Sequence, residues 1–239
     1  MEETQQKIFL RAQWKNLLMA NFICDEKILL KYLPAKTELD SFQGNHFVSV
    51  VAFQFLETAV LGVKFPFHTN FVEVNLRFYV KYKENGEWQR GVVFIKEIVP
   101  RFMITLIANT IYNENYITLA TNVKTTTKQD IFSLNYTWGN RNFFDCEAST
   151  QKIPIDINSM EEFITEHYRG YAKADAIKTR QYIVEHPRWN IFPILHYKIQ
   201  CDYGKLYGQE FSFLQNEKPH SVLLAEGSDI IVRKGLLID

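Results

Sequence analysis

The chain is poor in residues that make tight turns or covalent staples. Ten glycines, seven prolines and three cysteines are spread over 239 residues. Cys24, Cys146 and Cys201 are odd in number, far apart and in no Cys-x-x-Cys pair. That argues against a disulfide framework or a structural zinc site and suits a reducing compartment. There is no net charge, since 27 Lys and Arg balance 27 Asp and Glu. No global field therefore draws nucleic acid or an anionic membrane. No apolar run reaches the roughly 18 residues of a membrane helix. The polar, acidic start "MEETQQKIFLRAQW" is not a secretory signal. These absences predict a cytoplasmic protein with neither nucleic acid nor membrane as partner; oligomeric state is not legible.

Catalytic signatures are missing too. There is no GxxxxGK[ST] loop, no strand-linked GxGxxG, no GxSxG elbow and no HExxH. None of the six histidines is paired at i,i+4 or as His-x-His, so no metal and no cofactor is expected.

What the chain has is aromatic bulk and period-2 alternation. Nineteen Phe and twelve Tyr suggest a bulky interior. Segment 46–56, "HFVSVVAFQFL", is apolar on both faces, as a strand buried from both sides would be. Residues 70–82 alternate, "ENGE" supplies an Asn-Gly hairpin turn, and 88–99 return as the partner strand. Further strands are expected at 14–23, 116–124, 129–138, 179–185, 191–201 and 229–233. Helices are few. Asp25 can cap "EKILLKYLP", Pro100 can open "PRFMITLIANTIY", and Ser159 begins a capping box. The pattern is α+β on antiparallel sheet, open to closure as a barrel. A subdomain seam is best placed near 150–160, though no linker marks it; one large domain or two small ones would fit.

"FVEVNLRFYV" (71–80) carries the main functional signal. Val72, Val74, Leu76, Phe78 and Val80 fall on one side; Glu73, Asn75, Arg77 and Tyr79 fall on the other. The plain alternative is a wet outer face on a half-buried strand. Against it, the run is approached by the aromatic "FPFHTNF", and acid, amide and base alternate as a small polar ligand would require. The partner strand places Glu97 and Arg101 on the parity of Val93, Ile95 and Val99. Charges on such a face are costly unless paired or exposed to a cavity. Lys96 reads as an outer-face residue with its head in water. "VEHPRWNIFPI" brings His186, Arg188 and Trp189 together, either at a pocket mouth or in a structural turn. Glu166, His167 and Arg169, also candidates for chemistry, end a short helix, where the helix dipole is a second account of the His and Arg.

"WKNLLMANF", "HTNFVEVNLRFYV", "RGVVFIKEIVPR", "YNENY", "EEFITEHYRGY", "VEHPRW" and "LLAEGS" together resemble domain of unknown function 2071, the YqjF-like family, from about Phe9 to Val232. That family is similar in fold to acetoacetate decarboxylase. The resemblance implies one domain over 1–239: a strongly bent antiparallel sheet, partly a barrel, with a few short helices around an internal cavity. Carried over residue by residue, it places Lys15 near the decarboxylase arginine. One active-site glutamate position falls near Ser49, the other near Glu73. Ile117 and Thr118 fall where the decarboxylase has its lysine pair, and neither forms an imine. No lysine occurs between Lys96 and Lys124.

The resulting expectation is a protein that binds or transforms a small polar or anionic organic compound without Schiff-base chemistry, by a lyase or hydrolase route if it is catalytic. Glu73 is the acid/base candidate. Lys15 and Arg101 are candidates for holding an anion; Asn75, Arg77, Glu97 and Tyr116 are candidates for lining the ligand site. The competing expectation is a structural or ligand-sensing module whose charges only support the fold.

Overall fold

The computed structural model describes residues 6–100 and 115–238. Its large sheet runs in the order β10 (Ile153–Pro154), β13 (Asn190–Phe192), β15 (Ser221–Arg233), β1 (Ile8–Ile23), β3 (Phe47–Val60), β4 (Phe71–Glu84), β5 (Glu87–Val99), β11 (Arg169–Lys173), β12 (Thr179–Glu185) and β16 (Leu236–Ile238). Two short strands join its side: β2 (Thr37–Leu39) on β4, and β6 (Tyr116–Thr118) on β5. β12 also pairs with β15 through Val184–Val232 and Glu185–Ile231. The path from β15 through β1, β3, β4, β5, β11 and β12 therefore returns to its start as a barrel. Most pairs are antiparallel, but β6 and β11 lie parallel to β5.

A second sheet, ordered β14 (Ile194–Gln200), β9 (Asn142–Ser149), β8 (Ile131–Trp138) and β7 (Thr121–Lys128), packs outside this barrel. Two cores result. The outer one joins Leu18, Val74, Leu76 and Phe78 to Tyr136, Trp138 and Phe144. The inner one contains Met19, Val51, Tyr79, Phe163 and Trp189. β4 is thus buried on both faces. Its odd-numbered polar residues face the barrel interior, while Val72, Val74, Leu76, Phe78 and Val80 face the outer core.

Local signals shape these elements. Asn85 and Gly86 both have positive φ, 50° and 89°, as the β4–β5 hairpin turn demands. Helix α1 (Glu26–Leu29) is capped by Asp25, whose Oδ1 accepts from the Lys27 N–H at 2.8 Å. Helix α2 (Met160–Thr165) is capped by Ser159, which accepts from the Glu162 N–H at 3.1 Å. Glu162 reaches back to the N–H of Asn158 rather than Ser159. Helix α3 (Tyr203–Tyr207) and the 3₁₀ segment Gln209–Gln215 cover the outer core. The helix expected from Pro100 lies outside the described residues. Among those described, no helix is long and apolar enough to cross a membrane.

Two irregularities overturn simple alternation. In β1, Asn16 is left-handed (φ 54°) and the pairing with β3 shifts between Lys15 and Leu18. Trp14 and Leu17 therefore both face the interior, and Lys15 is exposed. In the β4–β5 pair the register shifts between Leu76–Lys96 and Arg77–Phe94. Val93 and Ile95 enter the outer core while Glu97 faces inward, so Glu97 does not share their parity as the alternation suggested. Lys96 points away from the interior and donates to the Leu206 carbonyl.

Candidate functional site

The barrel encloses a cavity of about 270 Å³. That is near the low end of small-molecule sites, which run to roughly 300–1,000 Å³. Its polar end is built by three adjacent strands. Register sets Asn75 of β4 opposite Glu97 of β5, and Glu97 opposite Tyr116 of β6. Glu73 lies two residues before Asn75 on the same face. All four line the cavity.

Glu73 is 3% exposed. Its Oε1 accepts from Asn75 Nδ2 at 2.9 Å, and its Oε2 accepts from the Tyr116 hydroxyl at 3.4 Å. Burial pushes its carboxyl up from 4.5 to about 7; the two hydrogen bonds and the Arg77 charge oppose that rise only in part. Asn75 Oδ1 is left as a buried acceptor without a partner. Arg77, also on the wall, donates through Nη2 to the Ile164 carbonyl at 3.3 Å, and its Nε has no partner.

The end of α2 and the start of β11 add His167 and Arg169. His167 is buried beside Tyr79 (4.8 Å between ring centres) and Phe163, and neither ring nitrogen has a hydrogen-bond partner of good geometry. Burial, then the charges of Arg90 and Arg77, hold its pKa well below the ordinary histidine value, so the ring is neutral. Arg169 is 8% exposed and pairs with Glu84 at 3.5 Å. At the far wall His186 lies stacked between Tyr168 and Trp189, with ring centres 4.6 and 4.1 Å away.

The sequence-predicted residues divide by position. Glu73, Asn75, Arg77, Glu97 and Tyr116 are brought to one cavity. Lys15 is exposed and off the wall, turned outward by the bulge at Asn16. Arg101 lies outside the described residues. Ile117 packs on the outer core, so Tyr116 rather than Ile117 occupies the inward position of β6. Ser49 donates to Asn21 Oδ1 at 2.6 Å and shares a hydrogen bond with the Tyr79 hydroxyl, an internal polar link away from the cavity lining.

His167 and Arg169 were legible only as helix-terminal residues. Their signal was proximity in "TEHYRG", where a helix ends and an inward-facing strand begins. No lysine lines the cavity among the described residues, and segments 1–5 and 101–114 contain none in sequence. Nor do three or more His, Cys, Asp or Glu among the described residues form a group that could hold a metal ion.

Uncharacterized protein YqjF of Bacillus subtilis (strain 168) is 26% identical over 170 residues, covering 68% of this chain and 66% of that protein. The match thus spans just under two thirds of the relative's own length. Acetoacetate decarboxylase from Legionella pneumophila superposes with a TM-score of 0.64 at 11% identity, over 97% of this chain and 87% of that one. The enduracididine biosynthesis enzyme MppR complexed with pyruvate superposes with a TM-score of 0.61 at 10% identity, over 100% and 93%. At such identities these structures establish a shared acetoacetate-decarboxylase-like fold. The family model of domain of unknown function 2071, an uncharacterized conserved protein, matches residues 11–229, and the chain belongs to that family.

Proposed function

We propose that the barrel cavity binds a small polar or anionic organic compound and that Glu73 acts on it as a general acid or base. The observation carrying this reading is a carboxyl only 3% exposed, raised to about 7, on the wall of a cavity. Such a group is poised to take or give a proton near neutral pH. Asn75 and Tyr116 orient it through their hydrogen bonds. Arg77 and Arg169 supply positive charge toward an anionic group, and Asn75 Oδ1 offers an acceptor to a ligand hydroxyl or amide. The reaction proceeds without an imine, since no lysine lines the cavity among the described residues. Proton transfer in a lyase or hydrolase step is the chemistry this set supports. MppR, similar in fold, has been seen complexed with pyruvate, which fits a small carboxylate in the corresponding space.

The test is extraction and mass spectrometry of compounds that co-purify with the protein, followed by calorimetric titration of any found. Glu73→Gln should keep the fold and weaken binding or turnover tenfold or more. A variant that loses stability but binds as before would leave Glu73 as a structural residue and refute the proposal.

A further inference from the structure

The polar end occupies one part of the cavity; the other is walled by aromatic rings. Phe55 stacks on Phe71 at 4.7 Å and 14°. Trp14 meets Phe53 and Phe55 edge to face at 5.3 and 5.8 Å, and Trp189 lies 6.3 Å from Trp14. Register links the two ends: Phe53 stands opposite Glu73, and Phe55 opposite Phe71. Along β4 the wall passes from Phe71 to Glu73, Asn75 and Arg77, one inward residue every ~7 Å. The acid thus stands at the border between ring wall and charged end.

We infer that the ligand is amphiphilic: a small carboxylate whose head meets the Glu73–Arg77 end and whose planar aromatic or branched apolar tail lies against Trp14, Phe53, Phe55 and Phe71. This rests on the proposed binding function and narrows it. A space of about 270 Å³ has room for several waters. A three-carbon acid would leave water against the rings, at a cost set by the apolar area kept wet. An apolar tail displaces that water and gains ring contacts.

Calorimetric titration with propanoate, 3-phenylpropanoate and ethylbenzene tests the inference on the intact protein. The phenyl-bearing acid should bind tighter than propanoate by on the order of tenfold to a hundredfold, with a more negative heat-capacity change. Phe55→Leu keeps an apolar side chain but removes the ring. It should reduce the tail's advantage over propanoate at least threefold. Equal affinity for the two acids, or a tail advantage untouched by Phe55→Leu, would overturn the inference and leave the binding function standing. Binding of ethylbenzene without either acid would refute the anionic head group and the inference with it. No binding of any probe would refute both.

Discussion

Asn75 donates its side-chain amide to Glu73 across 2.9 Å, two residues along one strand and wholly inside the barrel. The bond favours the ionised carboxylate, yet burial outweighs it, and the acid titrates near 7. Stability and pH are coupled through that imbalance. The folded pKa lies above the unfolded one, so the protonated acid favours the fold. This contribution is full below about pH 4.5 and is lost as pH rises through about 7. Glu73→Gln removes the titration. Its stability relative to the wild type should climb between pH 5 and pH 8, by a difference on the order of 3 kcal/mol, and its relative melting temperature should rise with it. Thermal unfolding at the two pH values reads it directly.

His167 works in the opposite direction. Its folded pKa is pushed well below 6.5 by burial and by Arg90 and Arg77. The unfolded chain therefore takes up a proton first, and stability is lost as pH falls below about 6.5. The charged and titratable groups acting on it are Arg90, Arg77 and His186, all basic. His167→Gln should shed that acid sensitivity. The denaturant midpoint at pH 5 relative to that at pH 8 should be higher in the variant than in the wild type, where the His167 penalty at low pH offsets the gain from protonated Glu73.

Gly227 of β15 stands opposite Lys15 and packs against the Trp14 backbone, beside the bulge at Asn16. Its φ is +81°, and a Cβ there would stand 2.2 Å from the Trp14 carbonyl oxygen. Gly227→Ala should destabilise the protein by about 1–3 kcal/mol. It should also disturb ligand binding, because β1 would have to shift where it supplies Trp14. Urea unfolding together with titration of a bound carboxylate separates the two effects.

Charge on the wall and charge outside it should behave differently toward anions. Lys15→Met should leave carboxylate affinity within twofold of wild type, since Lys15 is exposed and off the lining. Arg77→Gln should weaken it tenfold or more. Borohydride treatment with a β-keto acid should leave no lysine adduct in the cavity. A stoichiometric adduct coupled to CO2 release would contradict the non-imine chemistry.

Alternation made β4 readable, because a strand buried on both faces still separates its valines from its charges by period 2. Asn85-Gly86 and the caps at Asp25 and Ser159 were readable because their chemistry is local. The bulges were not. Nothing in "FIKEI" says that the ladder slips after Phe94, and that slip decides where Glu97 points. Lys15, carried over from the resemblance rather than from alternation, faces outward because one left-handed residue, Asn16, reverses the parity of what precedes it. His167 and Arg169 reach the cavity only because β11 lies beside β5 through the Gly170–Val92 bridge. That long-range pairing leaves no periodic trace in the sequence. Strand Asn142–Ser149 was also missed; "NFFDCEAS" mixes Asp and Glu into its alternation, and its pairing with both β8 and β14 supplies what local preference does not.

The account turns on Glu73 being a buried acid that meets the ligand. A carbon-13 NMR titration of its side-chain carboxyl, assigned by loss of the signal in Glu73→Gln, measures this most directly. The prediction is a midpoint near 7 in the free protein, moved further upward when 3-phenylpropanoate brings a second negative charge into the cavity. A midpoint in the ordinary carboxylate range, unmoved by any carboxylate, would contradict it.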